Sequence, residues 1–177
     1  HFSGFEHLLL DIDARVAPDV VCDARALGSL PAAQFDAVYC SHNLEHYYRH
    51  DVRRVLAGFL HVLKPGGFAQ LIVPDLQAVM KAAVERGLDV EDVLYQSPSG
   101  PINVLDVLYG YGVEIERSGL DYYAHKTGFS QRALVRALQL AGFGHVYSWS
   151  AHLDASAIAF KGEPEPATRA LLGLPPA

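Results

Sequence analysis

The chain has 177 residues, with 14 Lys plus Arg against 20 Asp plus Glu, a formal charge of −6. At roughly 150 residues per domain this is enough for one domain, and 50% hydrophobic with 19% charged residues excludes a disordered polyelectrolyte. An acidic balance with no run of Lys or Arg argues against a protein built to neutralise nucleic-acid phosphates.

His7 to Ile12 (HLLLDI) and Val20 to Cys22 are short apolar runs that each end at an aspartate, the pattern of buried parallel strands meeting a polar cleft. Phe35 to Cys40 (FDAVYC) is a third such strand, ended by the polar Ser41-His42-Asn43. Val52, Val55, Leu56, Phe59, Leu60 and Leu63 then fall on one face of a helix, with Asp51 as its expected N-cap. Pro65 stops it, and Gly66-Gly67 is expected to supply unusual dihedrals for a turn into a strand at Phe68 to Val73. Residues 75–129 read as a largely helical cap insert, broken at Ser97 to Pro101 and rich in Tyr. Ser130 caps a helix carrying Leu134, Ala137, Leu138 and Ala141, which Gly142 ends, and Gly144 to Ser150 with Ala155 to Lys161 form an antiparallel hairpin.

Two strands joined by an amphipathic helix make a right-handed crossover, so the architecture predicted is α/β, a mostly parallel sheet with helices on both faces. Residues 1–161 read as a single domain and 162–177 as a peripheral Pro-rich tail. Cys22 and Cys40 sit in apolar stretches and read as core thiols of a reducing compartment. No run approaches the about 18 apolar residues of a membrane span, and no leader pattern opens the chain, so a cytoplasmic protein with no membrane partner is expected.

In open α/β sheets ligands bind beyond the carboxyl ends of the strands. Those ends are Asp11-Ile12-Asp13, Asp23-Ala24, Ser41-His42-Asn43 and Pro74-Asp75, four polar clusters along one edge. A carboxylate after one strand can accept from both ribose hydroxyls and one after the next from an adenine amino group, a pattern suited to an adenosine-type ligand. For any single aspartate, ending a strand or capping a helix is the better reading; the set favours the ligand.

The segments Asp23-Ala24-Arg25-Ala26-Leu27, Phe35 to His46 (FDAVYCSHNLEH), Arg54-Val55-Leu56, Leu63 to Gly67 (LKPGG) and Val73-Pro74-Asp75-Leu76, in that order, resemble the class I S-adenosylmethionine-dependent methyltransferases, in particular the small-molecule, methyltransferase type 11-like branch. The likeness spans residues 5 to 77, and His125 to Phe129 and Ala141 to Phe143 resemble the C-terminal part of one bacterial branch. The resemblance implies a Rossmann-like fold, S-adenosylmethionine as cofactor and a small-molecule acceptor. It implies ribose binding at Asp11, an adenine neighbour at Ile12, adenine-edge contacts at Asp23 and Ala24, and a cofactor-side segment at Ser41-His42. Asp36 and the Lys64 to Gly67 turn serve the fold.

The glycine-rich turn of a dinucleotide-type fold precedes the ribose acid by about 20 residues, which from Asp11 falls before residue 1. The first strand and its loop are therefore expected to be missing. Neither Gly110-Tyr111-Gly112 nor Gly142-Phe143-Gly144 follows a strand and opens a helix, so neither replaces the loop. The gap leaves two strands without a partner, which predicts either a fragment or a sheet completed by another segment or chain, with a homodimer among the outcomes.

His42, His46 and His50 recur every four residues, but they span a strand end and a helix start, so a metal is not expected there. For a hydroxyl acceptor a neutral imidazole is a suitable base, which makes His46 and His125 the catalytic candidates with Asp75 behind them. Tyr109, Tyr122, Tyr123 and Lys126 are expected to cover the acceptor, against the plainer reading of half-buried packing. The reading is a methyltransferase of a small molecule, O-methylation ahead of N-methylation. The alternatives are a non-catalytic methyltransferase-like binding domain or fragment and, last, a nucleotide-sugar or dinucleotide enzyme.

Overall fold

In the computed structural model, which describes residues 4–175, strands β1 (Leu10–Asp11) and β2 (Val20–Val21) pair in parallel. Strand β1 is shorter than its apolar run at both ends; after Asp11, whose Oδ1 accepts from the backbone N of Asp13 at 2.8 Å, the chain enters a 3-10 turn at Ala14–Val16. Strand β3 (Phe35–Ser41) leads through a 3-10 turn at Leu44–His46 to helix α1 (Arg49–Val62). Helix α1 starts earlier than predicted: Tyr48 is the N-cap and Asp51 lies within the first turn, where its charge still suits the helix N-terminus. Its buried face carries Val52, Val55, Leu56, Phe59 and Val62.

Helix α1 passes directly into strand β4 (Leu63–Pro74), parallel to β3. Phe35 pairs with Leu63 and Ala37 with Phe68, so Lys64 to Gly67 form an irregularity within the strand rather than a turn before it. Gly67 is needed for close approach and not for its dihedrals, since a Cβ there would lie 2.9 Å from the Asp36 carbonyl oxygen. Lys64 Nζ meets Asp36 at 2.8 Å across the same irregularity.

Helix α2 (Leu76–Arg86) is capped by Asp75, whose Oδ1 accepts from the backbone N of Gln77 and Ala78. The middle segment is less helical than expected. Strands β5 (Val93–Ser97) and β6 (Gly100–Asn103) form a hairpin closed by Ser97 Oγ donating to the Gly100 carbonyl. The predicted break at Ser97 to Pro101 is that hairpin's turn, and Val93-Leu94-Tyr95 is strand-forming. Helices α3 (Val104–Tyr109) and α4 (Gly112–Ser118) and a 3-10 turn at Asp121–Tyr123 follow. Val79, Leu94, Ile102, Val104 and Val107 give this segment its own small core.

Helix α5 (Gln131–Ala141) starts at Ser130 and ends at Gly142 as the sequence predicts, and strands β7 (His145–Ala151) and β8 (Asp154–Phe160) form the expected hairpin. Strand β8 lies between β4 and β7, giving the order β3-β4-β8-β7. The α/β, Rossmann-like fold is therefore built on mixed rather than mostly parallel sheets. Among the described strands β1 pairs in parallel with β2 and β3 with β4, and β1-β2 is a separate two-stranded sheet.

Ala69, Leu71 and Val73 of β4 and Ala155, Ala157 and Ala159 of β8 pack with the apolar faces of α1 and α5 in the main core. On a second cluster, Phe68, Ile158 and Phe160 receive Leu172 and Leu174, which follow helix α6 (Pro166–Leu171). The segment after Gly162 is thus packed rather than peripheral; Pro176 and Ala177 lie outside the described residues.

Candidate active site and cofactor cavity

A cavity of about 670 Å³ lies between the β1-β2 pair and β3, a size that suits a nucleotide-sized ligand. Most of its wall is apolar, including Leu10, Leu27, Val38 and Phe59, and Asp11, Ser41 and Asn43 bring polar groups to it. Asp11 ends β1 and Ser41 ends β3, so the two carboxyl ends meet at one space. Asp11 Oδ1 holds the Asp13 amide, and among the described residues Oδ2 accepts no hydrogen bond. No glycine lines the cavity among the described residues.

Of the six residues expected at the cofactor, Asp11, Ile12, Ala24 and Ser41 line this cavity, whereas Asp23 and His42 do not. Asp23 is committed locally: both its oxygens meet the Arg25 guanidinium, at 2.6 Å for the shortest contact, and this pairing holds its carboxyl below the usual range. Asn43, from the polar cluster expected after β3, also lines the cavity, as does Tyr47, which was not singled out in the sequence. The position of Tyr47 shortly after that strand end is the signal that marks it.

A second cluster forms where residues 124–127 cross the Leu44–His46 turn. The Glu45 carbonyl accepts from the backbone N of Lys126 (2.8 Å) and Thr127 (3.1 Å), and His46 Nδ1 donates to the Ala124 carbonyl at 3.2 Å. His125 Nδ1 donates to the Val107 carbonyl at 2.9 Å. These contacts bring the His46 and His125 rings edge to face, 4.9 Å between centroids. Both catalytic-candidate imidazoles thus share one place, 79 positions apart in sequence yet joined by the crossing segment.

Glu45 is the residue the sequence reading missed. It is 1% exposed, and neither carboxylate oxygen has a hydrogen-bond partner. Its Oε1 lies 3.6 Å from His42 Nδ1 and 4.0 Å from His125 Nε2. A charged residue inside the apolar-flanked Leu44-Glu45-His46 was the available signal. Glu45 raises the His42 pKa against the opposing effect of burial, and burial lowers that of His46 against the pull of Glu45. Burial thus favours the neutral form of the His46 imidazole.

Asp75 does not stand behind these rings. Its Oδ1 caps α2 and its Oδ2 accepts from Ser150 Oγ at 2.8 Å, so the carboxylate serves the fold. Of the aromatic candidates, Tyr122 donates to Asp13 Oδ2 and accepts from Arg15, both at 3.1 Å, tying the middle segment to the loop after β1. Tyr123 packs on Tyr122, with 4.9 Å between ring centroids. Tyr109 is exposed, and Lys126 lies 3.5 Å from Asp121 and over the Tyr48 ring. His50 stacks on Tyr48 near the start of α1 and is not in the cluster, so the regular histidine spacing does not itself build a site.

A family model described as a methyltransferase domain matches residues 8–71, the stretch that carries both β1 and the Leu44–His46 turn. Among solved structures the chain is similar to a protein from Pyrococcus horikoshii, with 16% identity, a TM-score of 0.55 and coverage of 89% of this chain and 72% of that one. It is also similar to a SAM dependent methyltransferase from Archaeoglobus fulgidus, at 15% identity and a TM-score of 0.53, over 86% of this chain and 74% of that one. A possible exported protein from Bordetella parapertussis aligns at 15% identity and a TM-score of 0.54, over 87% of this chain. The chain spans about half, 52%, of that protein's length. No curated protein matches the chain in sequence. The fold is similar to that of S-adenosylmethionine-dependent methyltransferases, and residues 8–71 match a methyltransferase domain. Among the described residues no helix is long and apolar enough to cross a membrane.

Proposed function

We propose that this protein binds S-adenosylmethionine in the cavity between β1 and β3 and transfers its methyl group to a small-molecule acceptor, O-methylation ahead of N-methylation. The observation that carries the reading is the Asp11 carboxylate, placed at a nucleotide-sized cavity with Oδ2 unused. Ile12 and Ala24 supply the apolar wall for adenine, and Ser41 faces the rest of the cofactor. The bound cofactor supplies an electrophilic methyl on a sulfonium. The protein's part is to align the acceptor and exclude water, and Tyr109, Tyr122, Tyr123 and Lys126 belong to the segment proposed to cover it. A neutral imidazole of His46 or His125 accepts the proton of a hydroxyl acceptor. Two chains associate in this reading as a homodimer through a sheet edge.

Calorimetric titration with S-adenosylhomocysteine tests the cofactor site without knowledge of the acceptor. Micromolar binding is expected, weakened by at least about 100-fold in Asp11→Ala, since two hydrogen bonds to a charged oxygen contribute about 1.5–3 kcal/mol each. Equal affinity in the parent and Asp11→Ala would remove the proposed site. Absence of binding favours a methyltransferase-like domain that does not bind the cofactor.

A further inference from the structure

Glu45, His46 and His125 each offer one ligand atom, and the three atoms lie within 4.8 Å of one another. Tetrahedral zinc with bonds of about 2.0–2.1 Å holds its ligand atoms about 3.3 Å apart, so small side-chain adjustments close the set. Three features prepare it for a cation. The Glu45 carboxylate is buried and accepts no hydrogen bond, an arrangement that is unfavourable for a charged group unless something compensates it. His46 and His125 each donate Nδ1–H to a backbone carbonyl, which fixes both rings in the tautomer that keeps a lone pair on Nε2. His125 Nε2 is the atom that faces Glu45 Oε1, at 4.0 Å.

We propose that Glu45, His46 and His125 form a binding site for a divalent transition metal, with zinc as the ion best matched to two imidazoles and one carboxylate. The ion replaces the missing partners of Glu45 and clamps the 124–127 segment onto the Leu44–His46 turn. Three protein ligands leave a fourth position open. The half-exposed His42 has its Nδ1 3.6 Å from Glu45 Oε1 and its Nε2 3.9 Å from Asp154 Oδ2. The competing arrangement is an ion pair of Glu45 with protonated His42, but at 3.6 Å it makes no hydrogen bond. A metal here would occupy both Nε2 lone pairs, so the proton-accepting role proposed for His46 or His125 belongs to the metal-free chain.

The test is cobalt(II) titration of the full 177-residue chain after chelator treatment, followed by visible absorption, with zinc as competitor. One equivalent is expected to bind at micromolar concentration with the absorption of a low-coordinate nitrogen and oxygen site. Zinc should displace it and raise the melting temperature. His125→Ala and Glu45→Gln should each weaken binding by at least about 100-fold, while His50→Ala leaves it unchanged. Glu45→Gln keeps the side chain's shape and decides the question if His125→Ala fails to fold. No saturable cobalt band in the parent chain, or undiminished binding in Glu45→Gln, overturns the site. The outcome is separate from cofactor binding, which is read at Asp11.

Discussion

Burial pushes the Cys40 thiol up to about 12, and the nearby Glu45 carboxylate adds to the effect. A thiolate is the reactive form, so Cys40 should resist labelling in the native protein. The Cys22 thiol is shifted in the same direction, again by burial first and by Asp23 second. With a disulfide-exchange reagent at pH 8, we expect both thiols to react promptly in denaturant and Cys40 to react at least about 100-fold more slowly in the folded chain. Fast native labelling of Cys40 would show that β3 opens locally. At this scale the sequence was legible where a residue's role follows from its neighbours along the chain. Asp11 after an apolar run is such a case. It was not legible where the partner comes from far away: Ser150 takes up Asp75, and His125 turns Glu45 from one residue of a turn into the centre of a cluster.

Among the elements, the 124–127 segment depends on one position outside it. Gly110 has φ of +100°, and a Cβ there would meet the Tyr123 carbonyl oxygen and lie 3.0 Å from Ala124 Cα. Its neighbour Tyr109 accepts at its carbonyl from the His125 amide. Gly110→Ala should therefore cost about 2–4 kcal/mol, lowering the thermal midpoint by roughly 5–15 °C in a chain of this size, because both backbone strain and overlap with backbone are imposed. A midpoint within 1 °C or so of the parent would mean that the segment is not fixed against α3 as described. Helices α1 and α5 were readable because their apolar spacing and stop signals agree. The β5-β6 hairpin was missed because its strands are short and its partner is local, so turn residues looked like a break between helices.

For the whole molecule, the sequence indicated strands and crossovers but not which strands would share a sheet. The parallel β3–β4 pair follows from strand–helix–strand order, whereas the position of β8 between β4 and β7 is a long-range choice. The edges of the four-stranded sheet are β3 and β7, and the proposed homodimer uses one of them. Light scattering should then give twice the mass of one chain at high concentration, and a single-chain mass there removes the dimer. Strand β4 pairs along its length with β8, from Phe68 with Phe160 to Pro74 with Asp154. At synthesis rates of about 5–20 residues per second, β4 leaves the ribosome on the order of ten seconds before its second neighbour exists. During that interval an apolar strand waits with one side open, so the time of greatest exposure to misassembly is set by translation speed and not by the stability of the finished sheet.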